Sequence, residues 1–101
     1  MENKYLESKI KLKTGFFKKE SYSLILNDQE IILKQNENKK LEEIKISAAS
    51  VESISVSSEK PEEIEIITEK ESFIGNFIDE KDISEIILFL KMIFGKKFNY
   101  F

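Results

Sequence analysis

Apolar and polar residues alternate strictly through Lys9-Ile10-Lys11-Leu12-Lys13, which sets Ile10 and Leu12 on one side of a strand and three lysines on the other. Thr14-Gly15 interrupts the pattern, and Phe16-Phe17 resumes an apolar surface before Lys18-Lys19-Glu20. Ser21 to Leu26 reads as the next strand. Asn27-Asp28-Gln29 carries turn chemistry, because Asn and Asp side chains bond their own backbone. Glu30 to Lys34 then returns, completing a hairpin. Beyond the polar connection 35–40, Ile44 and Ile46 alternate with Lys45, and this strand runs out in Ser47-Ala48-Ala49-Ser50. Val51 to Ser58 presents Ile54 and Val56 to one face. The lone Pro61 falls in a turn, where a missing N–H costs nothing. Glu63-Ile64-Glu65-Ile66 alternates, and Phe73, Gly75 and Phe77 alternate with Ile74, Asn76 and Ile78. The pattern predicts seven strands between about residues 9 and 78, with no internal repeat.

The periodicity then changes. Ile83, Ile86, Ile87, Leu90, Ile93 and Phe94 fall within an arc of ~120° at helical spacing, a stripe that faces a core. Asp82-Ile83-Ser84-Glu85 has the form of a capping box, in which Asp82 accepts from backbone N–H groups and Glu85 reaches back. Asp79, Glu80, Asp82 and Glu85 gather at the positive end of the helix dipole, and Lys96 and Lys97 follow Gly95 at the negative end. The expected helix spans about 82–94, with an aromatic tail over 96–101.

Composition narrows the chemistry more than the fold. The chain has 101 residues, the size of one domain, with 41% hydrophobic and 35% charged residues, as in ordinary globular proteins. Histidine, cysteine and tryptophan are absent and all 16 basic residues are lysine. There is thus no disulfide, no thiolate metal site and no imidazole base. An enzyme is not expected, and no cofactor is implied. The carboxylates that remain have simpler roles: Glu62, Glu63 and Glu65 at exposed strand positions, Asp79 to Glu85 at the helix start. The three isolated glycines form no phosphate-cradling loop. The N-terminal residues lack the apolar core of a signal peptide, and no apolar run reaches the ~20 residues that cross a bilayer, so a cytoplasmic setting is expected. The net charge of −3 argues against nucleic acid as a partner. Charge is nonetheless uneven: residues 1–20 carry six lysines against three acids, and residues 37–71 carry ten acids against five lysines.

Three stretches resemble the pleckstrin-homology (PH)-like superfamily, closest to its GRAM and bacterial members. Ser21 to Leu33 is similar to the family's second strand, polar turn and third strand. Ile44 to Val56 resembles a recurring spacing of apolar positions in the family, and Phe73 to Leu90 resembles its last strand running into a closing helix. The resemblance implies a single mainly β, α+β domain over residues 1–101. It would be a partly open barrel of seven antiparallel strands in two near-orthogonal sheets, capped by one C-terminal helix. A helix lying on one open sheet would use the same pattern. The likeness lies in hydrophobic spacing, and so it speaks to fold far more than to activity.

Two surfaces are candidates for binding. Family members that bind phosphoinositides do so through basic residues in the loop between the first two strands, and Lys11, Lys13, Lys18 and Lys19 lie there in this chain. Glu20 stands where the family's final arginine would be, and with no arginine anywhere, bidentate phosphate recognition is lost. The lysines suit weak attraction to anionic lipid; the plainer account is a solvated strand face that discourages edge pairing. The second candidate is apolar surface outside the helix stripe: Leu88, Phe89 and Met92, with Phe98, Tyr100 and Phe101 in the tail. It suits a protein partner or a homo-oligomer, unless the tail folds back and extends the core. The expected function is a non-catalytic binding or adaptor domain, acting through protein interaction or self-association beside the helix, with peripheral membrane binding as the alternative.

Overall fold

Each alternating stretch forms a strand, and the order of pairing decides where its polar side ends up. The computed structural model describes residues 5–13, 19–35, 43–60 and 62–101. Its strands are β1 (Leu6–Lys13), β2 (Lys19–Leu26), β3 (Glu30–Gln35), β4 (Glu43–Ser47), β5 (Val51–Val56), β6 (Glu63–Thr68), β7 (Ser72–Phe77) and β8 (Phe98–Tyr100), with one α-helix, α1 (Ile83–Phe94), between the last two. The eighth strand was not expected. The first begins at Leu6 rather than Lys9, since Leu6 and Ser8 continue its inward face.

Hairpins β1–β2, β2–β3, β3–β4, β5–β6 and β6–β7 are all antiparallel. The halves β1–β4 and β5–β7 join where Ile10–Leu12 pair with Phe77–Gly75, giving one hydrogen-bonded ladder in the order β4-β3-β2-β1-β7-β6-β5-β8. The ladder stays open, with β4 and β8 at its two ends. The inward faces converge on one core that includes Ile10, Leu24, Leu33, Ile54, Ile66 and Leu90. In β5 a register shift between Val51 and Ser53 makes a bulge. It breaks the two-residue period, so that Val51 joins Ile54 and Val56 inside.

The helix covers the core as its stripe predicts, with Ile83, Ile86, Ile87, Leu90 and Phe94 buried. Its start differs from the expected capping box. Asp82 has helical backbone angles (φ −83°, ψ −15°) and makes no side-chain bond to the first-turn N–H groups. A capping side chain needs extended backbone at that position to swing back over the turn. Asp79 is extended, and its Oδ1 accepts from the Lys81 N–H at 3.0 Å, capping a single 3-10 turn over Glu80–Asp82. Asp82 instead accepts from the Ser8 hydroxyl, at 3.1 Å, tying the helix to β1.

Candidate functional site

Beyond α1 the chain turns back on itself. Gly95 has φ 53°, a region that glycine enters without steric cost, and its N–H bonds the Lys91 carbonyl. One 3-10 turn (Gly95–Lys97) then delivers Phe98–Tyr100 onto β5 in parallel, in the register Ile54↔Phe98, Ser55↔Asn99 and Val56↔Tyr100. The Phe101 N–H donates to the Val56 carbonyl at 3.2 Å, and the Ser58 N–H donates to the Phe101 carbonyl. The tail is therefore a strap along an edge that β5 would otherwise leave bare.

This placement divides the apolar candidates. Phe98 is 8% exposed and joins the core, and so does Phe89, also at 8%. Phe89 lies just outside the expected arc, and its burial widens the covered side of the helix to about 160°. Both residues leave the candidate surface. Leu88 and Met92, each 67% exposed, remain one turn apart on the outer face of α1. Tyr100 and Phe101 are also exposed, at 44% and 70%. The Lys91 ammonium sits 5.4 Å from the centre of the Tyr100 ring, a cation–π contact that links the helix face to the strap. Phe101 borders a shallow cleft of about 110 Å³ with Ser55, Ser57, Lys60, Glu63 and Glu65.

The lysines of the first hairpin gather on another face. Pairing places Lys9 opposite Ser23, Lys11 opposite Ser21 and Lys13 opposite Lys19, and Ser23 lies opposite Lys34. Cross-strand partners share a face, as do residues two apart along a strand. Lys9, Lys11, Lys13, Lys19 and Lys34 thus form one exposed outer patch. Lys19 reaches Asn76 Oδ1 at 3.4 Å, and the one ion pair among the described residues, Lys45–Glu43, borders the patch, since Glu43 is the register partner of Lys34. Lys18 lies outside the described residues. Glu20 does not sit among the lysines: it lies on the opposite face of β2, half-buried, and accepts from Gln35 Nε2 at 2.9 Å. Lys9 and Lys34 are additions to the expected set. The alternation that exposes both was visible in each strand, but their closeness depends on pairing.

Among the described residues no group of three or more acids could hold a metal ion. No described helix is long and apolar enough to cross a membrane. An open cleft of about 490 Å³ runs along Tyr5, Ile25, Asn27, Asp28 and Gln29, a lining with no convergent set of catalytic groups.

No family model and no curated protein matches the sequence. Solved structures do match in shape. The chain is similar to the N-terminal PH domain of human ARAP2, with a TM-score of 0.72 and 13% identity over 95% of this chain and 84% of that one. The fold is pleckstrin-homology-like. The chain is also similar to part of the DH/PH domain of human ARHGEF11, which was solved in a ternary complex with human RhoA and its inhibitor (TM-score 0.72, 15% identity, 93% of this chain). A third likeness is to the Spt16D Pob3N heterodimer, with a TM-score of 0.69, 10% identity and 99% of this chain covered. The chain spans 30% of the ARHGEF11 chain and 54% of the Spt16D Pob3N one. Residues 14–18, between β1 and β2 in the sequence, lie outside the described residues.

Proposed function

We propose that this chain is a non-catalytic binding domain that docks a protein beside its C-terminal helix, self-association being the first case to test. The observation that carries the reading is the pair Leu88 and Met92, both 67% exposed and i, i+4 on α1, next to the Lys91–Tyr100 contact. Apolar side chains one turn apart form a stripe that water solvates poorly and a second protein can cover. Tyr100, in contact with Lys91 of the same helix, enlarges this surface, while Phe101 lies against the outer side of β5 and β6. The missing imidazole and thiol chemistry supports binding over catalysis, and a cytoplasmic setting goes with this reading. The test is molar mass by light scattering across a range of concentrations, for the native chain and for Leu88→Glu/Met92→Glu. An oligomer that the double substitution abolishes supports the reading, and an unchanged monomer mass in both proteins removes self-association.

A second reading rests on a separate observation: five lysines, Lys9, Lys11, Lys13, Lys19 and Lys34, share one outer face. That face suits weak peripheral attachment to anionic lipid. Charge and apolar contact respond differently to salt, which separates the two readings.

A further inference from the structure

The strap is held to the rest of the fold by few contacts. Its backbone pairs with β5 from Phe98 to Tyr100 and continues through Phe101, and its single deeply seated side chain is Phe98. It is short and parallel, and parallel pairing is the weaker kind per residue. It joins the helix through Gly95, whose backbone has no side chain to resist reorientation, followed by the exposed Lys96 and Lys97. A segment held in this way by a short hinge is suited to exchange between identical chains.

We infer that residues 95–101 exchange between two copies of this chain, each strap seating its Phe98 on the partner's β5 and helix. The inference rests on the self-association reading above and names its geometry. The occupant is a second copy because that copy carries the one segment already seen to fit the slot: an aromatic anchor at 98, a polar residue directed outward at 99, and Tyr100 beside the Lys91 ammonium. The contacts are the same in the closed and exchanged forms, so they do not choose between them. Closure within one chain is favoured by an effective concentration on the order of millimolar, as for other short tethers. Exchange therefore needs a contact that only the dimer has. Leu88 and Met92 lie on the last two turns of α1, next to the hinge, where reciprocal exchange about a two-fold axis would bring the two helix ends together. Their exposure in the closed chain and their place beside the hinge have a common explanation on this scheme.

The chain has no cysteine, which makes the test clean. Asn99 and Ser55 are register partners, so Ser55→Cys and Asn99→Cys are made in separate full-length chains, mixed at high concentration and oxidised gently. The expected result is a disulfide-linked heterodimer several-fold more abundant than the product of a control pair, Ser55→Cys with Lys45→Cys. Adding Phe98→Ala to the Asn99→Cys chain is expected to return the yield to the control level. The double variant within one chain is expected to close internally, which checks the strap's register independently of exchange. A heterodimer yield no greater than the control, with the internal disulfide forming normally, overturns exchange. Failure of the internal disulfide overturns it too, by removing the register on which it rests. A light-scattering dimer that Leu88→Glu/Met92→Glu abolishes, but that gives no excess heterodisulfide, overturns exchange and leaves the helix-face reading standing.

Discussion

The hydroxyl of Ser8 donates to Asp82 Oδ2 across 3.1 Å, joining the inner face of β1 to the residue just before α1, 74 residues later in the chain. Ser8 is buried among apolar neighbours, and the carboxylate is half-buried. A hydrogen bond to a charged acceptor contributes about 1.5–3 kcal/mol, and its loss leaves the acceptor without that donor. Ser8→Ala is expected to lower stability by about 1–2 kcal/mol in urea unfolding. In a double-mutant cycle with Asp82→Ala, the two substitutions should couple by about 1 kcal/mol. Independent effects would mean that Asp82 acts only on the helix dipole and that the bond contributes nothing measurable.

A second polar device fixes the register of the β2–β3 hairpin. Asn27 Oδ1 accepts from the N–H groups of both Gln29 and Glu30 at 2.8 Å, holding the turn closed where the strands reverse. Asn27→Ala removes the acceptor and leaves the strands intact. A loss of about 1 kcal/mol is expected, since the bond from Gln29 is exposed and the one from Glu30 only partly buried. Asn27→Asp keeps the acceptor and should retain most of the stability. Thermal unfolding of the three proteins checks this, and equal midpoints would show the turn to be set by its backbone alone.

The strands and the helix were legible because each is written in a local repeat. Ile10 and Leu12 in β1, or Ile83 and Leu90 in α1, announce their faces from their immediate neighbours. What was not legible depends on distant residues. Asp82 looks like a cap until Ser8 is seen beside it. Phe89 looks like a flanking residue until the core reaches round to bury it. Phe98-Asn99-Tyr100 is too short to show a strand period, and only the bare edge of β5 turns it into one. The candidate surfaces followed the same rule. Exposure of Leu88, Met92 and the β1 lysines could be read along the sequence, but the gathering of Lys34 with Lys9 required the pairing of β1, β2 and β3.

Two glycines are held in place for different reasons, and substitution separates them. At Gly75 an added Cβ would stand 3.0 Å from Ile10 Cδ1, and Ile10 is fully buried and cannot swing away into solvent. Gly75→Ala is therefore an overpacking change at the junction of β1 and β7, with an expected cost of about 1 kcal/mol. At Gly95 an added Cβ meets nothing within 4 Å, and the obstacle is the backbone angle of φ 53°. Gly95→Ala should cost about 1–2 kcal/mol through backbone strain. It should also loosen the strap, which Gly75→Ala should not. Amide exchange at Phe101, whose N–H bonds Val56, reads the difference directly. Equal protection of that amide in both variants would contradict this division.

The lysine face gives the last prediction, and its magnitude matters more than its sign. Each lysine near an anionic surface contributes about 1 kcal/mol, screened within a Debye length of ~8 Å at physiological salt. Five lysines therefore set a ceiling of about 5 kcal/mol, reached only if all five touch the surface together. The rest of the chain works against them, because the net charge is −3 and the acids of β6, Glu63 and Glu65, lie two strands away from β1 on the same outer surface. Attachment to anionic vesicles should thus be detectable at low salt, largely lost at physiological salt and absent with neutral lipid. Lys11→Glu/Lys13→Glu/Lys19→Glu/Lys34→Glu should abolish it without altering the light-scattering mass, since none of these residues lies beside α1. Vesicle co-sedimentation of the two proteins measures this. Binding that persists at high salt or survives the four reversals would mean that apolar contact drives attachment, and would point back to Leu88, Met92 and Phe101.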